Sequence, residues 1–256
     1  MDENLTGLAD AGHQPLIGCA GWSLPRAAWP QFTATGTHLQ RYASRFAAVE
    51  INSSFYRPHR PATYARWAVS VPGTFRFAVK VPRRITHELR LRQTDAALSS
   101  FLAEVTALQD QLGCLLVQLP PSLAFDRQVA DAFCATVRRE FSGEVACEPR
   151  HASWFTPDAE DLLSAYRLAR VAADPAPVPA AAEPGGWAGL VYYRWHGSPK
   201  MYYSAYSATD LDRLALRLAA AAQTGVPTWC IFDNTAEGAA ITNALRLLDQ
   251  LAPAKN

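Results

Sequence analysis

The feature that most constrains the fold is a repeat of short β-rich runs and longer helical segments, carried to the end of the chain. The runs 16–20, 47–51, 75–81, 113–119, 144–148, 169–173, 189–195 and 227–232 read as strands. Between them, helical periodicity predicts helices near 37–46, 61–70, 94–111, 127–140, 157–166, 208–223 and 236–250. Consecutive parallel strands need a crossover that returns the chain to the same end, so this alternation is the signature of a parallel sheet. Eight strands in near-regular succession within 256 residues predict a (β/α)8 TIM barrel, one domain spanning 16–252. Residues 1–15 then form a flexible N-terminal segment.

Local signals agree with this alternation. Leu211, Leu214, Leu218 and Ala222 draw an apolar stripe along 208–223, and Asn234 with Glu237 has the spacing of a capping box before the last helix. The stretch 174–189, DPAPVPAAAEPGGWAG, contains four prolines and cannot hold a regular helix. The sixth crossover is therefore expected to be irregular.

Alternate residues of a strand face opposite sides of a sheet. One phase here carries large apolar residues: Ile17, Val49, Ile51, Phe77, Val79, Val81, Leu115, Val117, Leu119, Val191 and Tyr193. These suit a wide layer between sheet and helices. The other phase starts small and ends polar: Gly18-Ala20, Ala48-Glu50-Asn52, Ala78-Lys80, Leu116-Gln118, Ala146-Glu148-Arg150 and Tyr192-Arg194-His196. If that phase faces the barrel axis, its polar ends meet at the carboxyl end of the strands, where sites of this fold lie.

Glu50, Glu148 and His196 are the candidate acid–base groups. A carboxylate in a partly dry pocket is pushed toward neutrality, nearby cations oppose the push, and His is the natural proton shuttle. Lys80, Arg150 and Arg194 are candidate anion holders, Lys as a point charge and Arg through paired donors. Asn52, Tyr56, His87, Gln118, Trp154, Tyr202, Asp233 and Asn234 stand at or after strand ends and complete the candidate binding set. Asn234 reads first as a helix cap and second as a ligand. The same charges also fit a buried ion network without function.

No Gly-rich phosphate loop, G-x-S-x-G or H-E-x-x-H is present, so no strong motif implies a cofactor. His196, Glu148 and Asp233 are residue types that bind a divalent metal, but they lack close ligand spacing. Apolar residues make up 49% of the chain, enough for a large core, while a net charge of +1 argues against a large nucleic-acid footprint. Cys19, Cys114, Cys134, Cys147 and Cys230 show neither C-x-x-C nor zinc spacing and read as reduced core residues, which points to the cytoplasm. The polar, acidic opening is unlike a signal peptide, and no apolar run is long enough to cross a bilayer.

Several runs, taken in order, resemble the YecE-like family, the domain of unknown function seventy-two. They are Ile17-Gly-Cys-Ala-Gly-Trp22, Glu50-Ile-Asn-Ser-Ser-Phe-Tyr56, Lys80-Val-Pro-Arg-Arg-Ile-Thr-His87, Glu148-Pro-Arg150 with Ser153-Trp154, Tyr193-Arg-Trp-His-Gly197 and Phe232-Asp-Asn234. The resemblance covers roughly residues 16 to 250 and implies a TIM-type barrel, but no reaction. One departure is Asp233, where the family often carries Asn, which places a negative charge where relatives have an amide.

The expected function is an enzyme, a hydrolase or another acid–base catalyst, acting on a phosphate-bearing or nucleotide-like anion. Its partner is then a small anionic ligand, with no membrane involved. Two alternatives stay open at this point. One is a glycosidase using Glu50 and Glu148 with aromatic stacking. The other is a non-catalytic module for a nucleotide or a short single-stranded nucleic acid.

Overall fold

The protein is described by a computed structural model over residues 14–252. Most of the segment expected to be flexible, residues 1–13, lies outside the described residues. Ten strands are present among those described: β1 (Leu16–Cys19), β2 (Ala48–Ile51), β3 (Arg76–Lys80), β4 (Leu112–Gln118), β5 (Glu144–Glu148), β6 (Leu168–Arg170), β7 (Ala172–Asp174), β8 (Gly185–Gly186), β9 (Val191–Trp195) and β10 (Thr228–Phe232). Helices α1 (His38–Ala43), α2 (Ser53–Tyr56), α3 (Pro61–Val69), α4 (Asp95–Val105), α5 (Arg127–Glu140), α6 (Pro157–Ala165), α7 (Ala208–Gln223) and α8 (Ala239–Leu251) alternate with them.

The fold is mixed α/β with parallel sheets, but the hydrogen bonds draw two sheets and not the single closed ladder expected from the sequence. One sheet has the order β1-β10-β9-β7 and the other β2-β3-β4-β5-β6-β8, and each pairing is parallel except β6 with β8. The reason lies at the two seams. The expected strand 169–173 changes partner at Val171: β6 pairs with β5, while β7 pairs with β9. On the other side β1 and β2 meet through one parallel bridge, Ala20 to Glu50, beside a bond of 2.8 Å from the Gly21 N–H to the Glu50 carbonyl. In strands this short, one change of partner is enough to divide a ladder.

The parity read from the sequence holds. Ile17, Val49, Ile51, Phe77, Val79, Val81, Leu115, Val117 and Leu119 belong to the large core beneath the helices. Ala48, Ala78, Leu116, Ala146 and Tyr192 belong instead to a smaller inner core with Cys114, Ala169, Trp229 and Ile231. Residues of both sheets contribute to that inner core, so the sheets face each other across it. Trp229 plugs the amino-terminal part of this space, and Gly113 lies directly against it: a Cβ there would stand 2.5 Å from the indole.

Helix α7 forms as expected. Leu211, Leu214 and Leu218 are fully buried, each contributing about 1.5–3 kcal/mol, and Ser207 with Asp210 closes a capping box at its start. The capping box expected from Asn234 and Glu237 does not form. Helix α8 starts later, behind Gly238, whose φ of 81° suits a residue without Cβ. Asn234 turns inward, donating to the Ser204 carbonyl and to Asn243 Oδ1, both at 2.9 Å. The proline-rich sixth crossover holds no regular helix, only a 3-10 turn (Pro179–Ala182) and the two residues of β8. All five cysteines are buried and unpaired with one another. Among the described residues no helix is long and apolar enough to cross a membrane.

Candidate functional site

The polar ends of the inner phase converge. Arg194, on β9, is wholly buried at the centre, and three carboxylates from three other strands surround it. Its Nε and Nη2 meet Glu50 on β2 at 3.0 and 2.7 Å, Nη1 meets Glu148 on β5 at 3.1 Å, and Nη2 meets Asp233, just after β10, at 3.0 Å. Tyr192 donates its phenol to Glu50 at 2.8 Å. Nearly every lone pair that faces Arg194 is thus matched to a donor, which is the condition for tolerating buried charge.

His196 lies beside this centre, on the next inward position of the same chain segment. Its Nε2 is 2.9 Å from Glu148 Oε1 and its Nδ1 is 3.0 Å from Asp233 Oδ2. Arg194 Nη1 lies 3.3 Å from the same Nδ1 and Arg150 Nη2 lies 3.4 Å from Nε2, so the ring stands between carboxylates and guanidiniums. Burial alone raises the pKa of Glu148, but His196, Arg194 and Arg150 overcome it and hold the carboxyl well below the usual range. Asp233 follows the same logic: burial raises it, and Arg194, His196 and Lys80 bring it below its ordinary value. Gln118, at the end of β4, donates to Glu148 Oε2 at 2.9 Å and fixes the carboxylate's orientation.

Arg150 is the cation that faces outward. Its Nε meets Glu148 at 3.1 Å, and its Nη1 donates to the Tyr202 hydroxyl at 3.2 Å. Tyr202 adopts a φ of 69°, a left-handed conformation that costs a bulky residue about 1–3 kcal/mol. That backbone places its ring edge-on to His196 while the hydroxyl reaches Arg150. Glu148, Arg150 and His196 open into a cavity of about 340 Å³ walled by Pro121, Pro175, Pro177 and Met201. The irregular sixth crossover therefore forms one side of the site, a role its prolines alone did not announce.

Lys80, at the end of β3, is 8% exposed and lies 4.1 Å from the centroid of the Phe55 ring. Asn52, just after β2, donates to Asp233 Oδ1 at 3.4 Å, and its own Oδ1 is buried without a partner among the described residues. His87 packs edge-on against Phe55, one ring removed from Lys80. Its pKa is lowered first by partial burial and then by Lys80, Arg83, Arg150 and Arg90.

Three expected site residues are placed elsewhere. Trp154 is buried under the outer layer, donating to the Leu123 carbonyl at 2.9 Å and packing on Phe125. It stands in the 3-10 turn after β5 (Ala152–Trp154) and does not line the cavity of Glu148, Arg150 and His196. Tyr56 is 77% exposed on α2 and lines a separate outer cavity of about 600 Å³ with Phe55, Phe101, Arg57, Arg83 and Arg84. Asn234 is wholly buried as the latch described above. Two expected roles also change. Arg194 is consumed by carboxylates and offers no face to an anion. Glu50 is enclosed by Arg194 and Tyr192, so it cannot pair with Glu148 across a sugar as a glycosidase requires. Tyr192, Pro175 and Met201 were absent from the expected set. Tyr192 was legible from its inward phase; the other two lie on loops, where no periodicity reports direction.

His196, Glu148 and Asp233 do come together, yet no group of three His, Cys, Asp or Glu among the described residues is arranged to hold a metal ion. Arg194 occupies the space between the carboxylates, and the donor atoms already bond one another.

Comparison with known proteins places this chain in a family. Residues 16–256 match the model described as "Protein of unknown function DUF72". The UPF0759 protein YecE of Escherichia coli (strain K12) is 31% identical over 172 residues, 64% of this chain and 61% of that protein. The UPF0759 protein YunF of Bacillus subtilis (strain 168) is 29% identical over 149 residues, 55% of this chain and 52% of that protein. The chain thus spans about half to three fifths of the length of these curated relatives. A DUF72 family protein of Enterococcus faecalis V583 superposes with a TM-score of 0.79 at 22% identity, covering 95% of this chain and 97% of that one. One from Thermotoga maritima MSB8 gives 0.76 at 23% identity, covering 93% and 99%. At such identity the likeness concerns the fold alone.

Proposed function

The chain belongs to the DUF72 family, and we propose that it is an acid–base enzyme acting on a small phosphate-bearing anion at the carboxyl ends of its strands. The observation that carries this reading is the hydrogen-bonded chain Glu148–His196–Asp233, which opens through Glu148 and His196 into the cavity that Arg150 also lines. An imidazole held between two carboxylates is oriented to give or take a proton at the carboxylate that meets the cavity. Arg150 supports an anion as the substrate: its carboxylate partner among the described residues, Glu148, is shared with Arg194. Arg150 is the side chain able to grip a phosphoryl group through paired donors.

The two sheets read, on this proposal, as halves of one (β/α)8 barrel. Their shared inner core, the Ala20–Glu50 seam and the near-continuity of β6 into β7 support it. A second reading, a nucleotide-binding module without catalysis, draws on the outer cavity, where Phe55, Tyr56 and Phe101 stand beside Arg57, Arg83 and Arg84.

The test is a panel of phosphomonoesters and nucleotides scored for thermal stabilisation and turnover. A ligand present at 100 times its Kd is expected to stabilise the native protein by about 2.7 kcal/mol, and Arg150→Ala to abolish most of that. Glu148→Gln is expected to retain binding while turnover is lost, with its melting temperature measured alongside. If phosphate, sulfate and nucleotides all leave the wild type unchanged, the anionic-substrate reading falls. Nucleotide binding that Arg57→Ala removes, without turnover, would favour the module.

A further inference from the structure

The chain carries 24 lysines and arginines, and only Lys80, Lys200 and Lys255 among them are lysine. A protein that otherwise builds its cations from arginine places a lysine at the inner end of β3. Arginine stays charged in any protein environment, whereas lysine can surrender its proton when buried. The surroundings of Lys80 are those that promote this. More than nine-tenths of it is buried, and among the described residues no carboxylate lies within 4.0 Å of Nζ and no hydrogen bond ends on it. The Phe55 face offers the ammonium some stabilisation. The carboxylates that might have paired with it, Glu50, Glu148 and Asp233, are turned toward Arg194.

From this geometry we propose that Lys80 is an amine nucleophile that forms a Schiff base with a small aldehyde or ketone bearing an anionic group. The inference rests on the acid–base site proposed above and narrows its substrate to a carbonyl compound. The Nζ lone pair attacks the carbonyl carbon, forming C–N as the C=O π bond opens. The oxygen takes one proton from the amine and one from an acid of the cluster, and leaves as water, so that a protonated imine remains. Burial first, and then the charge of Arg194, lower the Lys80 pKa to about 8 against the opposing pull of Glu50, Glu148 and Asp233. His87 completes the titratable surroundings, and at that value about a tenth of the amine is neutral at pH 7.

The test is reductive trapping on the full chain. Glycolaldehyde phosphate and, separately, glycolaldehyde are added with cyanoborohydride at pH 7.5, and peptide mass spectrometry scores Lys80 against Lys200. Near pH 7.5 the neutral fraction of an ordinary lysine is about 10⁻³, so Lys80 is expected to be modified at least about tenfold faster despite its restricted access. Inorganic phosphate should slow the reaction with the phosphorylated aldehyde, and Lys80→Arg, checked for an unchanged melting curve, should leave only the slow background. Equal labelling by both aldehydes, with no effect of phosphate, would support the amine and refute the anionic substrate. Labelling of Lys80 no faster than Lys200, in protein still stabilised by phosphate through Arg150, would overturn the Schiff base and leave the acid–base reading standing.

Discussion

Replacing Arg194 by Met removes the charge at the centre of the cluster while keeping an unbranched apolar stem. Glu50, Glu148 and Asp233 then face one another in a buried site with no guanidinium between them. Breaking a buried ion pair by removing one partner costs about 3–5 kcal/mol, and here three carboxylates lose the same partner, so the upper part of that range is expected. Against a typical stability of about 5–15 kcal/mol this is a large loss. The pH dependence follows from linkage. Wild-type Glu148 and Asp233 have pKa values below their unfolded ones, so their contribution is present above those unfolded values and is lost as pH falls through the folded ones. Without Arg194, Asp233 loses the first of the charges that lower it while Glu148 keeps His196 and Arg150, so both are held less far below their unfolded values and the variant has less stability to lose as the pH falls. Urea unfolding followed by tryptophan fluorescence should therefore show the widest gap between wild type and variant near pH 7, narrowing toward pH 4. Arg194→Met with Glu50→Gln should recover part of the loss, because Glu50 takes both Nε and Nη2. A variant within about 1 kcal/mol of wild type at pH 7 would refute the reasoning.

Two further outcomes test the cores. All five thiols should resist a thiol reagent in the native protein and react together once it is unfolded, since burial raises each of them and pushes Cys134 up to about 12; a fast thiol in the folded state would contradict this. Gly113→Ala should destabilise by about 1–3 kcal/mol in the same urea assay through its clash with Trp229, and Gly113→Ala with Trp229→Phe should lose less than the sum of the single variants.

The alternation of strands and helices and the side each strand residue faces were legible in the sequence, because a strand's period of two assigns every residue to one of two faces. That is why Glu50, Lys80, Glu148, Arg194 and His196 could be gathered at one end before any coordinates. Only the tertiary structure decided how those charges are used. Arg194 and Glu50 are 144 positions apart, and whether they meet or each faces a ligand depends on rotamers and on strand pairing, which periodicity does not encode. The same limit applies to Trp154, packed on Phe125 in the large core, and to the partner change at Val171. It applies also to Pro175 and Met201, loop residues whose direction is set by what they pack against. Strand period gives the face; contact among residues distant in sequence decides which groups on that face remain open to a substrate.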